Sequence, residues 1–380
     1  MPLDLNAALT RLVEVGGSDL HLKVPARPTI RVNGALSPLE GAASLTGEDT
    51  DHAVAHMLGD NEDKAREFAE TGEVDLSYSI PGIARFRVSA FRQRGSVSLV
   101  IRTIPFLIRS FDELGLPPVL RTLAEEERGI VLLTGTTGSG KSTTLAAMID
   151  HINSAMAKHI VTVEDPIEFL HKDKHSLINQ REVGMDTGSF KQALRRVLRQ
   201  DPDVILIGEM RDEETVHTAL SAAETGHLVF STVHTVDAVE TVNRLIDFFP
   251  PHMHQQVRAM LAGTLKGAIS QRLVKTADGR GRVAVCEVLR MTGRVRDMIM
   301  DPLQTGRLHE VIADGEYYGM QSFDQALFGH LKAGRITMEE ALKAATSPND
   351  FKLLVAADGR RGTTMDDPAD NESRRTAVGV

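Results

Sequence analysis

The chain has 380 residues, of which 42% are hydrophobic and 25% charged; this composition is typical of a globular protein and excludes a chain disordered throughout. Because single cores usually stop growing below this length, we expect two domains joined by a linker. The formal net charge of −9 argues against a protein whose whole surface binds a nucleic-acid backbone.

The amino terminus and the cysteine count indicate the compartment. The start of the chain lacks a basic segment followed by an apolar one, and no apolar run approaches the roughly 18 residues of a membrane-spanning helix. We therefore expect a protein that works inside the cell and reaches a membrane only through partners. The single cysteine, Cys286, excludes an internal disulfide framework. It lies in an alternating apolar run, Arg282 to Leu289, which predicts a buried strand.

The first hundred residues predict a small α+β domain. Apolar spacing predicts a helix from Leu3 to Val15 and an acidic helical segment from Gly47 to Ala69, for which Thr46 is the candidate N-cap. Alternating apolar residues predict short strands at Asp19 to Val24, Thr29 to Val32 and Ile83 to Phe91.

A proline-containing stretch without periodicity, residues 104–118, predicts an interdomain linker. Beyond it, near-continuous apolar runs alternate with helical segments, which indicates a mostly parallel sheet covered on both faces. These runs are Gly129 to Thr134, Ile160 to Val163, Asp203 to Gly208 and His227 to Val233.

The carboxyl-terminal third predicts helices, the clearer ones at Val257 to Ile269 and Phe323 to Leu331. The polar residues after Ala356 lack apolar spacing and predict a disordered tail. The predicted domain limits are therefore 1–103, the linker 104–118, a second domain over 119–355, and the tail 356–380.

The strongest motif is a phosphate loop, G-x-x-x-x-G-K-[ST], between a predicted strand and a predicted helix. Its glycines let backbone N–H groups surround phosphates, and the following helix presents its positive end to them. We expect Lys141 to contact the β- and γ-phosphates of ATP and Ser142 to hold Mg²⁺. The predicted nucleotide-binding residues of the loop and helix start are Gly135, Thr136, Thr137, Gly138, Ser139, Gly140, Lys141, Ser142 and Thr143.

Two acidic residues and a histidine follow three other predicted strands. Glu164, Glu209 and His234 each come at or just after a strand's carboxyl end, and ligands of open α/β sheets bind at that edge. We predict that Glu209 orients and deprotonates the attacking water, that Glu164 acts through the metal or its water shell, and that His234 senses the γ-phosphate.

With these residues in position, the chain resembles the type IV pilus twitching-motility retraction ATPases of the type II/IV secretion ATPase superfamily. The resemblance runs from about residue 3 to residue 355. Its most specific stretch, Leu198 to Asp212, is similar to the signature of secretion motors. Val163 to His171 resembles the family's Asp box, and Thr225 to Thr235 resembles its His box, which adds His227 to the nucleotide-binding candidates.

The resemblance implies further properties. It implies a PAS-like amino-terminal domain, a RecA-like ATPase domain, ATP between the two, and a cytoplasmic homohexamer at the inner face of the cell membrane. The implied partners are an inner-membrane pilus platform protein and a paralogous pilus ATPase, with no nucleic acid. Arginines from the amino-terminal side approach the nucleotide in the family, so Arg87, Arg102 and Arg128 are candidates by position; surface or ion-pair roles are the alternative.

Other functions remain as alternatives. A pilus-assembly or secretion ATPase is the nearest, although such proteins often contain a four-cysteine zinc element that one cysteine cannot form. A nucleic-acid translocase would need a basic channel with stacking side chains. A regulatory module would bind nucleotide without turnover. The family's Ala-Ile-Arg-Asn-Leu-Ile-Arg-Glu segment corresponds here to residues 294–301, where Arg296 and Ile299 match and the terminal Arg-Glu does not.

Overall fold

The computed structural model describes residues 3–32, 34–104 and 107–362. The chain forms two compact units. The first comprises residues up to 108 together with 166–172, and the second comprises 109–165 and the residues from 173 onward. The predicted domain limits stay predictions: of the linker, residues 105 and 106 lie outside the described part, and residues 111–114 form a helix.

The first unit is an antiparallel sheet covered by helices. The helices are α1 (Leu5–Glu14), α2 (Gly47–Leu58) and α3 (Glu62–Thr71). The strands are β1 (Asp19–Lys23), β2 (Thr29–Val32), β3 (Ala35–Pro38), β4 (Glu73–Ile80), β5 (Ala84–Gln93) and β6 (Ser96–Ile104). They lie in the order β3-β2-β1-β6-β5-β4. The apolar faces of the helices and of the sheet share one core.

The predicted acidic helix is two helices. Thr46 caps α2, as predicted, and its side chain accepts a hydrogen bond from the backbone of Asp49. The helix ends at Gly59, whose φ of +50° cannot continue it, and the Asn61 side chain caps α3.

The second unit contains a seven-stranded sheet between helices. Its strands are β7 (Gly129–Thr134), β8 (His159–Glu164), β9 (Leu177–Glu182), β10 (Val204–Ile207), β11 (Leu228–Val233), β12 (Leu265–Lys275) and β13 (Arg282–Arg290). They lie in the order β13-β12-β7-β11-β10-β8-β9. All neighbours are parallel except β12 and β13. The predicted α/β class with a mostly parallel sheet is therefore confirmed.

The helices of this unit cover both faces of the sheet. They are α4 (Phe111–Leu114), α5 (Val119–Ala124), α6 (Lys141–Ala155), α7 (Phe190–Val197), α8 (Glu213–Glu224), α9 (Ala238–Asp247), α10 (His254–Thr264), α11 (Gly293–Met300), α12 (Leu308–Ala313), α13 (Phe323–Lys332), α14 (Met338–Ala344) and α15 (Pro348–Gly362). Three short 3₁₀ helices lie at Pro251–Met253, Thr305–Arg307 and Glu316–Tyr318. No helix among the described residues is both long and apolar enough to span a bilayer.

Three sequence predictions concern the carboxyl-terminal part of this unit. The helix predicted from Val257 to Ile269 ends at Thr264, and the residues that follow pair with β7 as strand β12; the prediction of helix over 265–269 is wrong. In the tail predicted over 356–380, residues 356–362 belong to α15, and the remainder lies outside the described residues. Cys286 is buried in strand β13, as predicted.

Candidate active site

The phosphate loop, residues 135–142, connects the carboxyl end of β7 to α6. Gly135 and Gly140 have φ angles of +141° and +91°, which other residues rarely adopt. A Cβ atom would lie 2.5 Å from the backbone oxygen of Gln271 at the first position, and 2.7 Å from the Gln271 Nε2 at the second. Both positions therefore require glycine, because the adjacent strand β12 lies directly against the loop.

The same glutamine braces the loop through its side chain. Gln271 Nε2 donates to the backbone oxygen of Ser139 at 2.8 Å, and its Oε1 accepts from Thr144 Oγ1 at 2.8 Å. The side chain is 2% exposed. Gln271 therefore joins the loop to the first turns of α6, a role for which the sequence carries no motif.

The amino terminus of α6 is open to an anion. Gly140 occupies the N-cap position, so no side chain caps the first amides of the helix. The Ser139 hydroxyl is buried and has no hydrogen-bond partner within the described structure. Ser142 lies exposed in the first turn, and Thr143 is half-buried beside it. These uncapped donors fit a phosphate group, and the exposed Ser142 hydroxyl fits a cation bound to that phosphate.

Lys141 is held within the loop. Its Nζ donates to the backbone oxygens of Gly135 and Thr136 at 2.7 and 3.0 Å, and the residue is 8% exposed. Burial lowers the pKa of the ammonium, and the negative charge of Glu209 partly opposes that effect. The Lys141 ammonium group therefore lies against the phosphate loop, close enough to Glu209 for the two charges to interact.

Four adjacent strands bring the predicted catalytic side chains to one edge of the sheet. Ile207, at the end of β10, pairs with Val163 of β8 on one side and Ser231 of β11 on the other. Val233, at the end of β11, pairs with Thr134, the last residue of β7. Glu164 is the last residue of β8, and Glu209 and His234 come just after the ends of β10 and β11, so all three share an edge with the phosphate loop.

Backbone contacts fix the position of Glu209. On one side, Thr232 Oγ1 donates to the backbone oxygen of Gly208 at 2.7 Å. On the other, the Met210 amide donates to the backbone oxygen of Thr232 at 3.0 Å. Glu209 is therefore held against β11 by the residues on both sides of it.

The Glu209 carboxylate, 12% exposed, has two basic neighbours. Arg211 pairs with one oxygen through its Nε, and His234 Nε2 lies 3.4 Å from the other oxygen. The Arg211 side chain is 70% exposed and lies outside the set predicted from the sequence, although it belongs to the signature stretch. The pairing brings Glu209 and His234 together, and their action on a phosphate stays a prediction.

Glu164 ends β8, which lies on the opposite side of β10 from β11. Its Oε1 accepts hydrogen bonds from Thr162 Oγ1 at 2.6 Å and from Gln180 Nε2 at 3.3 Å. These contacts hold the carboxylate at the end of β8, and a carboxylate at this edge suits a cation or its bound water.

Arg128 and His227 lie at the opposite edge of the sheet. They precede β7 and β11 directly, and the Gly129 amide donates to the backbone oxygen of His227 at 2.9 Å. The six residues of β7 separate this edge from the phosphate loop by about 20 Å, at 3.3 Å per residue. The His227 Nδ1 lies 2.9 Å from the Ala222 carbonyl oxygen, so the ring closes the turn after α8. Within one chain, neither residue is near the loop.

The other two arginines belong to the first unit. Arg87 on β5 pairs in register with Arg102 on β6, and both side chains are exposed. Arg102 Nε donates to Asp19 Oδ1 at 2.8 Å. An ion-pair role is therefore present for Arg102, and contact of either arginine with nucleotide stays a prediction.

Comparison with known proteins adds to this geometry. The model of the family described as "Type II/IV secretion system protein" matches residues 4–343. A Pseudomonas aeruginosa protein named as the type IV pilus retraction ATPase PilT is 44% identical over 92% of this chain and 100% of its own length. The type IV pilus ATPase PilU of the same organism is 44% identical over 93% of this chain and 91% of its own. A crystal structure of the pilus retraction motor PilT with bound ADP superposes with a TM-score of 0.83 at 42% identity, covering 92% of this chain and 98% of that one.

Proposed function

The chain belongs to the type II/IV secretion system protein family, and from that premise we propose that it is an ATPase that powers the retraction of type IV pili. The observation that carries the proposal is the convergence of Glu164, Glu209 and His234 on the edge that holds the phosphate loop. The 44% identity to a pilus retraction ATPase over its whole length supports the same function.

Nucleotide binding uses the loop and the start of α6. The amides of residues 135–142 surround the phosphates, and Lys141 exchanges its two backbone acceptors for oxygens of the β- and γ-phosphates. Mg²⁺, when bound, neutralises charge that develops on the phosphates, and the Ser142 hydroxyl and Glu164 would hold it.

Hydrolysis uses Glu209 as the base. A water molecule attacks the γ-phosphorus, the bond to the β–γ bridging oxygen breaks, and ADP leaves with those electrons. Glu209 accepts the proton that the water loses and then returns it to solvent. Because Arg211 and His234 pair with the carboxylate, these residues position Glu209, and His234 links it to the γ-phosphate.

The working assembly is a homohexamer at the cytoplasmic face of the inner membrane. Binding and hydrolysis of ATP change the shape of the ring, and the ring acts on a membrane-embedded platform protein to dismantle the pilus. A PAS-like domain over residues 1–103 and a RecA-like domain over 119–355 are part of this proposal. A paralogous pilus ATPase is a further partner in this proposal.

The test of this activity is phosphate release from ATP by the intact chain and by Glu209→Gln. We expect the variant to bind ATP with near-normal affinity and to lose at least about a hundredfold in turnover, because a general base typically contributes that much. Glu224→Gln, an exposed position at the end of α8, is the matched control. Turnover by Glu209→Gln near the rate of the intact chain would exclude Glu209 as the base.

A further inference from the structure

A row of buried polar side chains crosses the sheet directly below the phosphate loop. Thr134 of β7 pairs in register with Ser270 of β12, which in turn pairs with Glu287 of β13. Thr134 Oγ1 donates to Ser270 Oγ at 3.0 Å, and Ser270 Oγ donates to Glu287 Oε1 at 3.4 Å. Both hydroxyl-bearing residues are fully buried, and Glu287 is 7% exposed. Two successive hydrogen bonds therefore connect Thr134, the residue before Gly135, to a buried carboxyl group.

The same carboxyl oxygen also accepts a hydrogen bond from the first residue of α9. The Ala238 amide donates to Glu287 Oε1 at 2.9 Å. Ala238 is the first residue of α9, and its amide has no partner within the helix. The segment before it, residues 234–237, begins with His234 and leads directly from β11 into this helix. Glu287 thus holds the far end of the segment that carries His234.

This placement is costly for an acidic residue. The pKa of Glu287 is raised from 4.5 to about 7, chiefly by burial and also by the negative charge of Asp237, while the two donors and Arg272 act in the opposite direction. Because one oxygen accepts both hydrogen bonds, the neutral acid can keep them as well as the carboxylate can. A glutamine amide, with an oxygen at the same place, can also keep them.

We propose that Glu287 is a positioning residue that joins the phosphate loop to the His234 segment through Ser270. The proposal rests on the function proposed above. When the loop closes on phosphate, the Thr134–Ser270–Glu287–Ala238 connection keeps His234 aligned with the γ-phosphate, so it acts on turnover more than on nucleotide affinity. Buried networks of this kind fix geometry because each unpaired member would be costly.

The test compares variants that break the connection with one that keeps it. Ser270→Ala removes the central link, Glu287→Ala removes the end, and Glu287→Gln preserves the acceptor. Ser176→Ala is the control, since Ser176 is also buried and hydrogen-bonded, to the backbone of Met156 and Lys158, away from the loop. For each full-length protein we measure kcat, KM for ATP, thermal stability, and hydrogen exchange of residues 135–142 and 234–238 without nucleotide.

We expect Ser270→Ala and Glu287→Ala to lower kcat about tenfold with KM changed less than threefold, as for a misplaced catalytic group. Hydrogen exchange should become faster in both segments at once, and Glu287→Gln should recover most of the kcat lost in Glu287→Ala. A kcat for Ser270→Ala equal to that of Ser176→Ala, or faster exchange in only one segment, would overturn the proposal. Absence of turnover in the intact chain would instead contradict the proposed ATPase function, and the exchange data would still test the connection.

Discussion

At the scale of single residues, Gln271 gives a direct test of how the phosphate loop is held. Gln271→Leu keeps the volume but leaves the Ser139 carbonyl and the Thr144 hydroxyl without their partner. Two buried polar groups without partners cost about 3 kcal/mol together, so we expect that loss in urea unfolding and weaker binding of ADP. Gln200→Leu, at an exposed position, is the control, and an equal loss in both variants would contradict the bracing role.

Glu287 makes stability depend on pH. Its folded-state pKa is raised from 4.5 to about 7, so the folded chain binds the proton more tightly than the unfolded chain does. The resulting stabilisation is complete below pH 4.5 and is lost as pH rises through about 7. The full change corresponds to about 3 kcal/mol.

Glu287→Gln lacks this titration and provides the reference. We expect the free energy of unfolding of the intact chain, minus that of the variant, to fall between pH 5 and about pH 7 and to level off towards pH 8. Urea unfolding at several pH values measures it. A difference that stays constant across this range would show that Glu287 is ionised throughout.

The convergence of Glu164, Glu209 and His234 with the phosphate loop was predictable from the sequence because the carboxyl ends of parallel strands meet at one edge of the sheet. The contacts of Gln271 and Glu287 were not predictable. Both residues come from a hairpin more than a hundred residues beyond the loop, and the strand register decides what they contact. His227 begins the apolar run that was predicted as a strand, so the sequence already placed it at the end of that strand opposite His234. The resemblance to the family's His box nevertheless made it a nucleotide-binding candidate, and the register of β11 with β7 separates it from the phosphate loop of the same chain.

At the scale of elements, two glycines of the phosphate loop differ in how much stability their replacement by alanine should cost. Gly138 has a φ of +79° and open space around its missing Cβ, so Gly138→Ala costs only backbone strain, about 1–2 kcal/mol. Gly135 adds a 2.5 Å approach to the backbone oxygen of Gln271. We expect Gly135→Ala to be the more destabilising variant in urea unfolding and to lose more ADP affinity. Equal effects would indicate that β12 does not restrict the loop.

In the sheet of the second unit, the strands with continuous apolar runs were predicted from the sequence, while β9 and β12 were not. β9 has the sequence Leu-Ile-Asn-Gln-Arg-Glu at the edge of the sheet, where only one neighbour is needed and polar residues are tolerated. β12 follows α10 without a break, and its apolar residues extend the helical spacing of that element. Its pairing with β7, far away in sequence, decides its conformation.

At the scale of the whole molecule, the proposed function requires a ring. We expect the purified protein with a non-hydrolysable ATP analogue and Mg²⁺ to have a mass six times that of the 41.5 kDa chain in light scattering. A ligand shifts an equilibrium towards the state that binds it more tightly, so nucleotide should favour the assembled ring if the ring is the form that binds ATP. A protein that stays monomeric at micromolar concentration with nucleotide would contradict the proposed assembly.

The most direct measurement of the central claim is a count of surface pili in cells that lack this gene. The cells are complemented either with the intact protein or with Glu209→Gln, and twitching motility is scored in parallel. A retraction ATPase predicts excess pili and lost twitching in the deletion strain, with recovery only by the intact protein. Bald cells would contradict retraction and indicate an assembly motor, and recovery by Glu209→Gln would contradict the requirement for hydrolysis at this site.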